Sequence, residues 1–210
     1  MRRFGGGVGP GRLLLFGSIA LGGLAFDLAT KSMVFARIGP PHRRVVSIVP
    51  RVLELQTSEN TGALWGFGAG WPGSSLIFAG LSLVAAVIIC YWLFFLGAAS
   101  SRALTVALGL IMAGALGNCY DRLAFGHVRD FVHFHVDPIR FDCAIFNFAD
   151  NMLVAGALTL ILYAMRPDEA ARREEEPSGA GAGAGAVGPV ARPPSAESIL
   201  GATASRSGTP

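Results

Sequence analysis

The sequence predicts an all-α polytopic membrane protein: four transmembrane helices with a small β-containing loop region. Three observations predict it. The 210-residue chain is 52% hydrophobic and 15% charged, and its mean hydropathy is +0.51, a balance that fits a membrane protein better than a soluble one. Four apolar runs stand at residues 13–36, 74–96, 103–120 and 144–165, each near the ~20 residues that a helix needs to cross the hydrocarbon core. Two polar loops, 37–73 and 121–143, and one short turn, 97–102, separate them.

Residues 1–12 are glycine-rich, carry Arg2, Arg3 and Arg12, and read as a cytoplasmic N-terminal segment. The run that follows begins like a signal peptide, a positive flank and then an apolar core. Its apolar character continues through Met33, Val34 and Phe35, so a retained spanning helix is expected. Asp27 and Lys31 interrupt it. In the first loop, the segment from Val45 to Gln56 is rich in valine and leucine and alternates in part, with Pro50 in its middle. That pattern predicts two short strands, with Pro50 at an edge or a bulge. Trp65 and Trp71 stand where an interfacial aromatic belt is expected.

The second and third runs carry no charge, and the short turn between them makes the helices antiparallel neighbours. Asn147 and Asp150 lie near the beginning of the fourth run. After Arg166 the composition changes: Glu174-Glu-Glu leads into a Gly/Ala/Pro/Ser tail that cannot bury a core and is expected to be disordered. The expected organisation is therefore an N-terminal segment 1–12, a membrane domain 13–166 and a tail 167–210.

Four spans place both termini on one side. Parity then gathers Asp27, Lys31, Asn60, Asn118, Asp121, Arg122, Asp130, Asn147 and Asp150 at the opposite membrane surface, whichever way the chain is inserted. Charge does not decide the orientation. Arg2, Arg3, Arg12, Arg102, Arg166, Arg172 and Arg173 favour cytoplasmic termini, but Arg37, Arg43, Arg44, Arg51, Arg122, Arg129 and Arg140 lie on the other side.

Several functions are disfavoured. The net charge of +3 comes mostly from arginines flanking apolar runs, with Lys31 the only lysine, which is a pattern of membrane topology rather than of nucleic-acid binding. No Walker-type loop is present, and no serine–histidine–acid arrangement competes. Cys90, Cys119 and Cys143 lack the spacing of a zinc knuckle or a redox C-x-x-C pair, and Cys90 and Cys119 read as small packing residues. His127, His133 and His135 share one loop, and His133 and His135 share a face if it is a strand. They lack a third ligand type at good spacing, so no metal is expected.

The carboxylates Asp121, Asp130 and Asp150 remain. A carboxylate beside a bilayer is costly and usually functional. The polar residues have structural readings as well: Asp27 and Lys31 form an i,i+4 pair, Asn118 and Asp121 share a helix face in a network closing the bundle, and Asp150 caps a helix start. The turn Asn-Thr-Gly-Ala at 60–63 is by itself an ordinary turn, although Asn60 offers a donor and an acceptor to a peptide backbone. Ala113, Gly114 and Gly117 allow close helix packing. Two carboxyls brought together cannot easily both ionise, and such a pair can hydrolyse a peptide: one member takes a proton from water while the other polarises the scissile carbonyl. A carboxylate-lined transport path and an inert assembly factor are the competing classes. The first needs a polar line through the bilayer, whereas these carboxylates gather at one surface.

Five motifs occur in order: Asp-Leu-Ala-Thr-Lys at 27–31, Asn-Thr-Gly-Ala at 60–63, Gly-Asn-Cys-Tyr-Asp-Arg at 117–122, Val-Arg-Asp-Phe at 128–131 and Phe-Asn-Phe-Ala-Asp at 146–150. With these the sequence resembles the bacterial lipoprotein signal peptidases (signal peptidase II). The resemblance implies a four-helix aspartic endopeptidase with Asp130 and Asp150 as catalytic dyad. It implies substrate-binding or supporting roles for Asp27, Lys31, Asn60, Gly62, Asn118, Arg122 and Asn147, a structural role for Asp121, and no metal or other cofactor. It further implies the inner membrane, cytoplasmic termini and a site near the outer surface, which makes the loop region extracytoplasmic. The implied substrate is a diacylglyceryl-modified prolipoprotein, cleaved N-terminal to the lipidated cysteine. The expected partners are that substrate and the bilayer, with no nucleic acid, and the chain is expected to act as a monomer.

Overall fold

The computed structural model describes residues 8–63, 66–96, 101–136 and 139–165. The chain divides into two units, Met1–Arg166 and Pro167–Pro210, and all described residues belong to the first. The expectations for Trp65, for residues 97–100 of the short turn and for the tail 167–210 lie outside the described residues.

The described residues form four helices, α1 Pro10–Ile38, α2 Ser74–Phe95, α3 Arg102–Phe125 and α4 Phe148–Ala164, and four strands, β1 Val45–Val49, β2 Leu53–Asn60, β3 Val128–Val136 and β4 Phe141–Asp142. Local chemistry explains the helix ends. Pro10 stands in the first turn of α1, where its missing N–H is no loss. Ser101 caps α3 by accepting the Leu104 N–H. Asn147 and Asp150 form a reciprocal capping box at the start of α4.

Three helices, α1, α2 and α3, are long and apolar enough to cross a membrane. The fourth begins later than the apolar run at 144–165 suggests. Residues before Asn147 pair with β3 instead, Phe146 exchanging backbone hydrogen bonds with Val132. The helix that remains has 17 residues and rises about 25 Å, short of the ~30 Å hydrocarbon core.

Helix α3 is the centre of the bundle and packs on α1, α2 and α4. Its buried residues include Leu108, Met112, Ala113, Gly114 and Gly117, while α2 turns Leu76, Ile77, Leu81, Val84 and Val87 outward, as a lipid-facing surface does. Close approach depends on glycines, Gly114 and Gly117 of α3 among them. A Cβ on Gly114 would meet the Ala149 carbonyl oxygen and stand 2.7 Å from Leu153 Cγ; one on Gly117 would stand 2.5 Å from an Asp27 carboxylate oxygen. Gly114→Ala therefore forces α3 and α4 apart, since a backbone carbonyl cannot swing aside. The expected loss of stability is about 1–3 kcal/mol. It is read as a lower unfolding temperature in detergent, and an unchanged temperature would contradict this packing.

The strands form one antiparallel sheet in the order β1-β2-β3-β4. The two strands expected around Pro50 are β1 and β2, Pro50 lies in the turn joining them, and β1 is an edge. The sheet packs against α1 and α3, and the Thr57 hydroxyl donates to the Gly39 carbonyl at the end of α1 (2.9 Å). Strand β3 thus lies beside α1 and the end of α3.

Candidate active site

Asp130 lies on β3 and is 2% exposed; Asp150 lies in the first turn of α4. One residue connects them. The Asn147 side-chain amide donates to Asp130 Oδ1 (2.6 Å), and the Asn147 backbone N–H donates to Asp150 Oδ2 (3.1 Å). Their other oxygens are held from different elements. Asn60 Nδ2, at the end of β2, donates to Asp130 Oδ2 (3.2 Å). Asn118 Nδ2, on α3, donates to Asp150 Oδ1 (2.8 Å). Each of the four carboxylate oxygens therefore receives a donor. The capping reading of Asp150 holds, since the Asp150 N–H also donates to Asn147 Oδ1 (3.1 Å). Capping brings this carboxylate to Asn147, and through Asn147 to Asp130.

Burial, and next the neighbouring charge of Asp150, push the Asp130 carboxyl up to about 7; hydrogen bonds from Asn147 and Asn60 and the charge of Lys31 oppose the rise. Two carboxyls in one apolar pocket favour retention of a proton.

A second network lies behind the first. Lys31, fully buried, pairs with Asp27 (2.7 Å) and Asp121 (3.3 Å) and donates to Asn118 Oδ1 (2.9 Å). Asn118 Oδ1 also accepts from Asn147 Nδ2 (3.2 Å). With both donors on its oxygen, the Asn118 amide must turn its NH2 to Asp150. Asp27 Oδ1 accepts the Ala149 N–H (2.9 Å), which anchors the start of α4 to α1. Asp121 accepts the Arg129 backbone N–H (3.0 Å) and its guanidinium (2.8 Å from Nη2), and so fixes the residue next to Asp130.

Arg122 touches that network only through its Nη1, which donates to the Asn118 carbonyl (3.5 Å). Its Nη2 donates to the Gly62 carbonyl (2.8 Å), while the Gly62 N–H donates to Asn60 Oδ1 (2.9 Å). The turn at 60–63 is thereby held against α3 with Asn60 aimed at Asp130. All ten residues singled out in the sequence, Asp27, Lys31, Asn60, Gly62, Asn118, Asp121, Arg122, Asp130, Asn147 and Asp150, belong to these two linked networks. Sequence reasoning gave no role to Arg129, whose partner Asp121 is eight positions away across the turn into β3. Its adjacency to Asp130 was the available signal.

Both carboxylates line a cavity of about 470 Å³ whose wall is largely apolar, with Val128, Phe134, Phe141, Ile145 and Val154 among its lining residues. Such a pocket suits an apolar segment with a few directed polar contacts.

The family described as signal peptidase (SPase) II matches residues 19–166. The chain belongs to the signal peptidase II family. It is similar to the lipoprotein signal peptidase of Rhodopirellula baltica, 38% identical over 163 residues, which cover 72% of this chain and 71% of the relative. It is similar to that of Methylocella silvestris, 37% identical over 141 residues, 67% of this chain and 78% of the relative. A third lipoprotein signal peptidase, from Ectopseudomonas mendocina, is 33% identical over 152 residues, 71% and 86% of the two chains. Among solved structures, a bacterial membrane enzyme determined by the in meso method at 2.3 Å resolution is 26% identical with a TM-score of 0.64, over 79% of this chain and 92% of that one. Family membership and the apolar helices make this protein an aspartic peptidase spanning a bacterial membrane more than once.

Proposed function

We propose that this chain is a membrane endopeptidase that removes signal peptides from diacylglyceryl-modified prolipoproteins, cutting N-terminal to the lipidated cysteine, with Asp130 and Asp150 as its catalytic dyad. The observation that carries the reading is the double hold of Asn147 on both carboxylates at the wall of an apolar cavity.

The geometry supports a division of labour. Asp130, with its raised pKa, carries the proton and donates it as a hydrogen bond to the scissile carbonyl oxygen. Asp150 takes a proton from the attacking water, whose oxygen bonds the carbonyl carbon. As the tetrahedral intermediate collapses, the carbon–nitrogen bond breaks and a proton passes to the leaving nitrogen. Asn147, Asn118 and Asn60 orient the two carboxyls. Arg122 and Gly62 shape the turn that borders the cavity. Asp27, Lys31 and Asp121 hold the helix ends together, and Asp121 is structural.

In this reading α4 is the fourth span, the protein lies in the inner membrane with cytoplasmic termini, and the sheet covers the site near the outer surface. The signal peptide lies among the spans while the acyl chains remain in lipid. The protein acts as a monomer and uses neither cofactor nor nucleic acid in catalysis.

The test incubates purified protein in detergent with a diacylglyceryl-modified prolipoprotein and with the same precursor lacking lipid, and follows release of the signal peptide by gel shift. The lipidated form alone is expected to be cut. Asp130→Asn and Asp150→Asn should each lower the rate by at least ~10³-fold, about 4 kcal/mol of barrier. Activity should also fall as pH rises through about 7, where Asp130 gives up its proton. Cleavage of both precursors at equal rates would remove lipid recognition from the proposal. Full activity in either variant would remove the dyad.

A further inference from the structure

The strand that carries Asp130 also carries two histidines that the proposed peptidase reaction does not use. Along a strand, alternate residues face opposite sides. Asp130 and Phe134 line the cavity described above, whereas His133 and His135 line a separate groove with Glu54, Arg140 and Asp142. Glu54 on β2 stands directly opposite His133, and Asp142 on β4 directly opposite His135. Residues paired this way have neighbouring side chains. The histidine rings lie 4.9 Å apart between centroids. One ligand-capable atom from each of Glu54, His133 and His135 lies within 4.8 Å of the other two.

From this arrangement we propose that Glu54, His133 and His135 form a binding site for a divalent transition metal, with zinc the best fit, on the face of β3 that turns away from the catalytic cavity. Two imidazoles and one carboxylate are a donor set that zinc takes, with water completing the coordination. The imidazoles argue against calcium and magnesium, which prefer oxygen ligands. Ligands on a tetrahedral zinc stand roughly 3.3 Å apart, given bonds of about 2.0 Å. Binding therefore closes the cluster by rotamer adjustments on the order of 1 Å.

A second observation points the same way. His133 Nε2 stands 2.6 Å from the exposed Asp142 carboxylate. The carboxylate accepts the Nε2 proton, which leaves Nδ1 as the basic nitrogen. His133 Nδ1 is buried and has no hydrogen-bond partner. A buried imidazole nitrogen with a free lone pair, set by a carboxylate on its other nitrogen, is the usual state of a metal-ligating histidine. Arg140 lines the same groove but has no atom that ligates a cation. A bound ion would pin β2 to β3 three to five residues beyond Asp130, and so steady the strand that carries it.

The test uses full-length, untagged protein in detergent, stripped with a chelator and titrated with ZnCl2 against a chromophoric competitor. One zinc per chain is expected. Glu54→Gln and His133→Gln should each weaken binding by about 100-fold, and Asp142→Asn by about 10-fold, the scale set by outer partners of metal ligands. An unfolding temperature in chelator equal to the parent's verifies that each variant is folded. The double variant Asp130→Asn, Asp150→Asn should bind zinc as tightly as the parent. Fewer than about one zinc per two chains, or unchanged affinity in both Glu54→Gln and His133→Gln, overturns the proposal. So does loss of binding in the Asp130, Asp150 double variant, which would put the metal in the catalytic cavity. The readout is binding, so it stands or falls independently of the peptidase reading.

Discussion

Asp130→Asn is expected to stop cleavage and, at about pH 8, to make the protein more stable. Asp130 is 2% exposed, and its carboxyl rises from the ordinary 3.8 to about 7 in the folded protein. Between those values the folded chain holds a proton that the unfolded chain has released. Stability therefore declines as pH climbs through this window, because its slope with pH follows protons bound unfolded minus protons bound folded. Above about pH 7 the whole penalty is present. A rise of this size corresponds to about 4 kcal/mol at 1.36 kcal/mol per unit. Asparagine keeps the shape and never ionises. It cannot accept from both Asn147 and Asn60, which returns roughly 1 kcal/mol of the gain. The measurement is thermal unfolding of parent and variant at about pH 4.5 and about pH 8. The variant's advantage should appear at the higher pH and shrink or vanish at the lower. An advantage that does not change with pH would mean that Asp130 is not the group held protonated by burial.

The same result bears on catalysis. If Asp130 is the proton-bearing member of the dyad, its cost to the fold and its use in the reaction have one cause, the desolvation that keeps the proton on the carboxyl. A variant that is more stable and inactive separates this from simple damage, since a misfolded variant loses both properties. Asp150→Asn serves as the contrast. Its carboxylate accepts the Asn147 N–H in the capping box of α4 and the Asn118 amide, and asparagine keeps an acceptor for only one of them, so it should lower stability by about 0.5–1.5 kcal/mol.

Much of this site was legible in the sequence, for a physical reason. Polar residues inside apolar runs have few places to go, and in the proposed four-span reading parity sends those of α1, α3 and α4 to one surface. Asp27 and Lys31 pair because one helix turn separates them, and Gly114 and Gly117 mark close packing because no other side chain leaves a backbone so bare. What escaped reading depends on pairing between distant segments. Phe146 left the fourth apolar run to bond Val132, which delayed α4 to Phe148. Asp121 chose Arg129 over the adjacent Arg122, because the turn after α3 folds β3 back alongside it. The histidines of β3 had no visible third ligand, since Glu54 reaches them only through the register of β2 against β3. That register is set by a bulge between Leu55 and Ser58, and a one-residue slip would turn Glu54 to the other face.

Lys31→Met is expected to cost about 3–5 kcal/mol of stability, the scale for breaking a buried ion pair by removing one partner. The side chains of Lys31, Asp27 and Asp121 are all fully buried, so the substitution leaves Asp27 without a cation, while Asp121 keeps Arg129 (2.8 Å). Methionine fills the stem's volume, which isolates the charge from the packing. Lys31→Arg is no remedy, because the planar guanidinium needs room that a site enclosed by Asp27, Asp121 and Asn118 lacks. Adding Asp27→Asn to Lys31→Met should recover part of the loss, since it removes the stranded charge while keeping an acceptor for the Ala149 N–H. The network also predicts a catalytic signature. Without the Lys31 ammonium, Asn118 Oδ1 keeps a single donor, its amide is less firmly held, and of the two donors on Asp150 only the Asn147 N–H stays fixed. Cleavage by the double variant should then fall mainly in kcat, with KM little changed, because Asn118 holds a carboxyl of the proposed dyad rather than the body of the substrate. Recovery of stability together with full recovery of kcat would show that Lys31 serves the fold alone and that Asn118 is held by Asn147 without it.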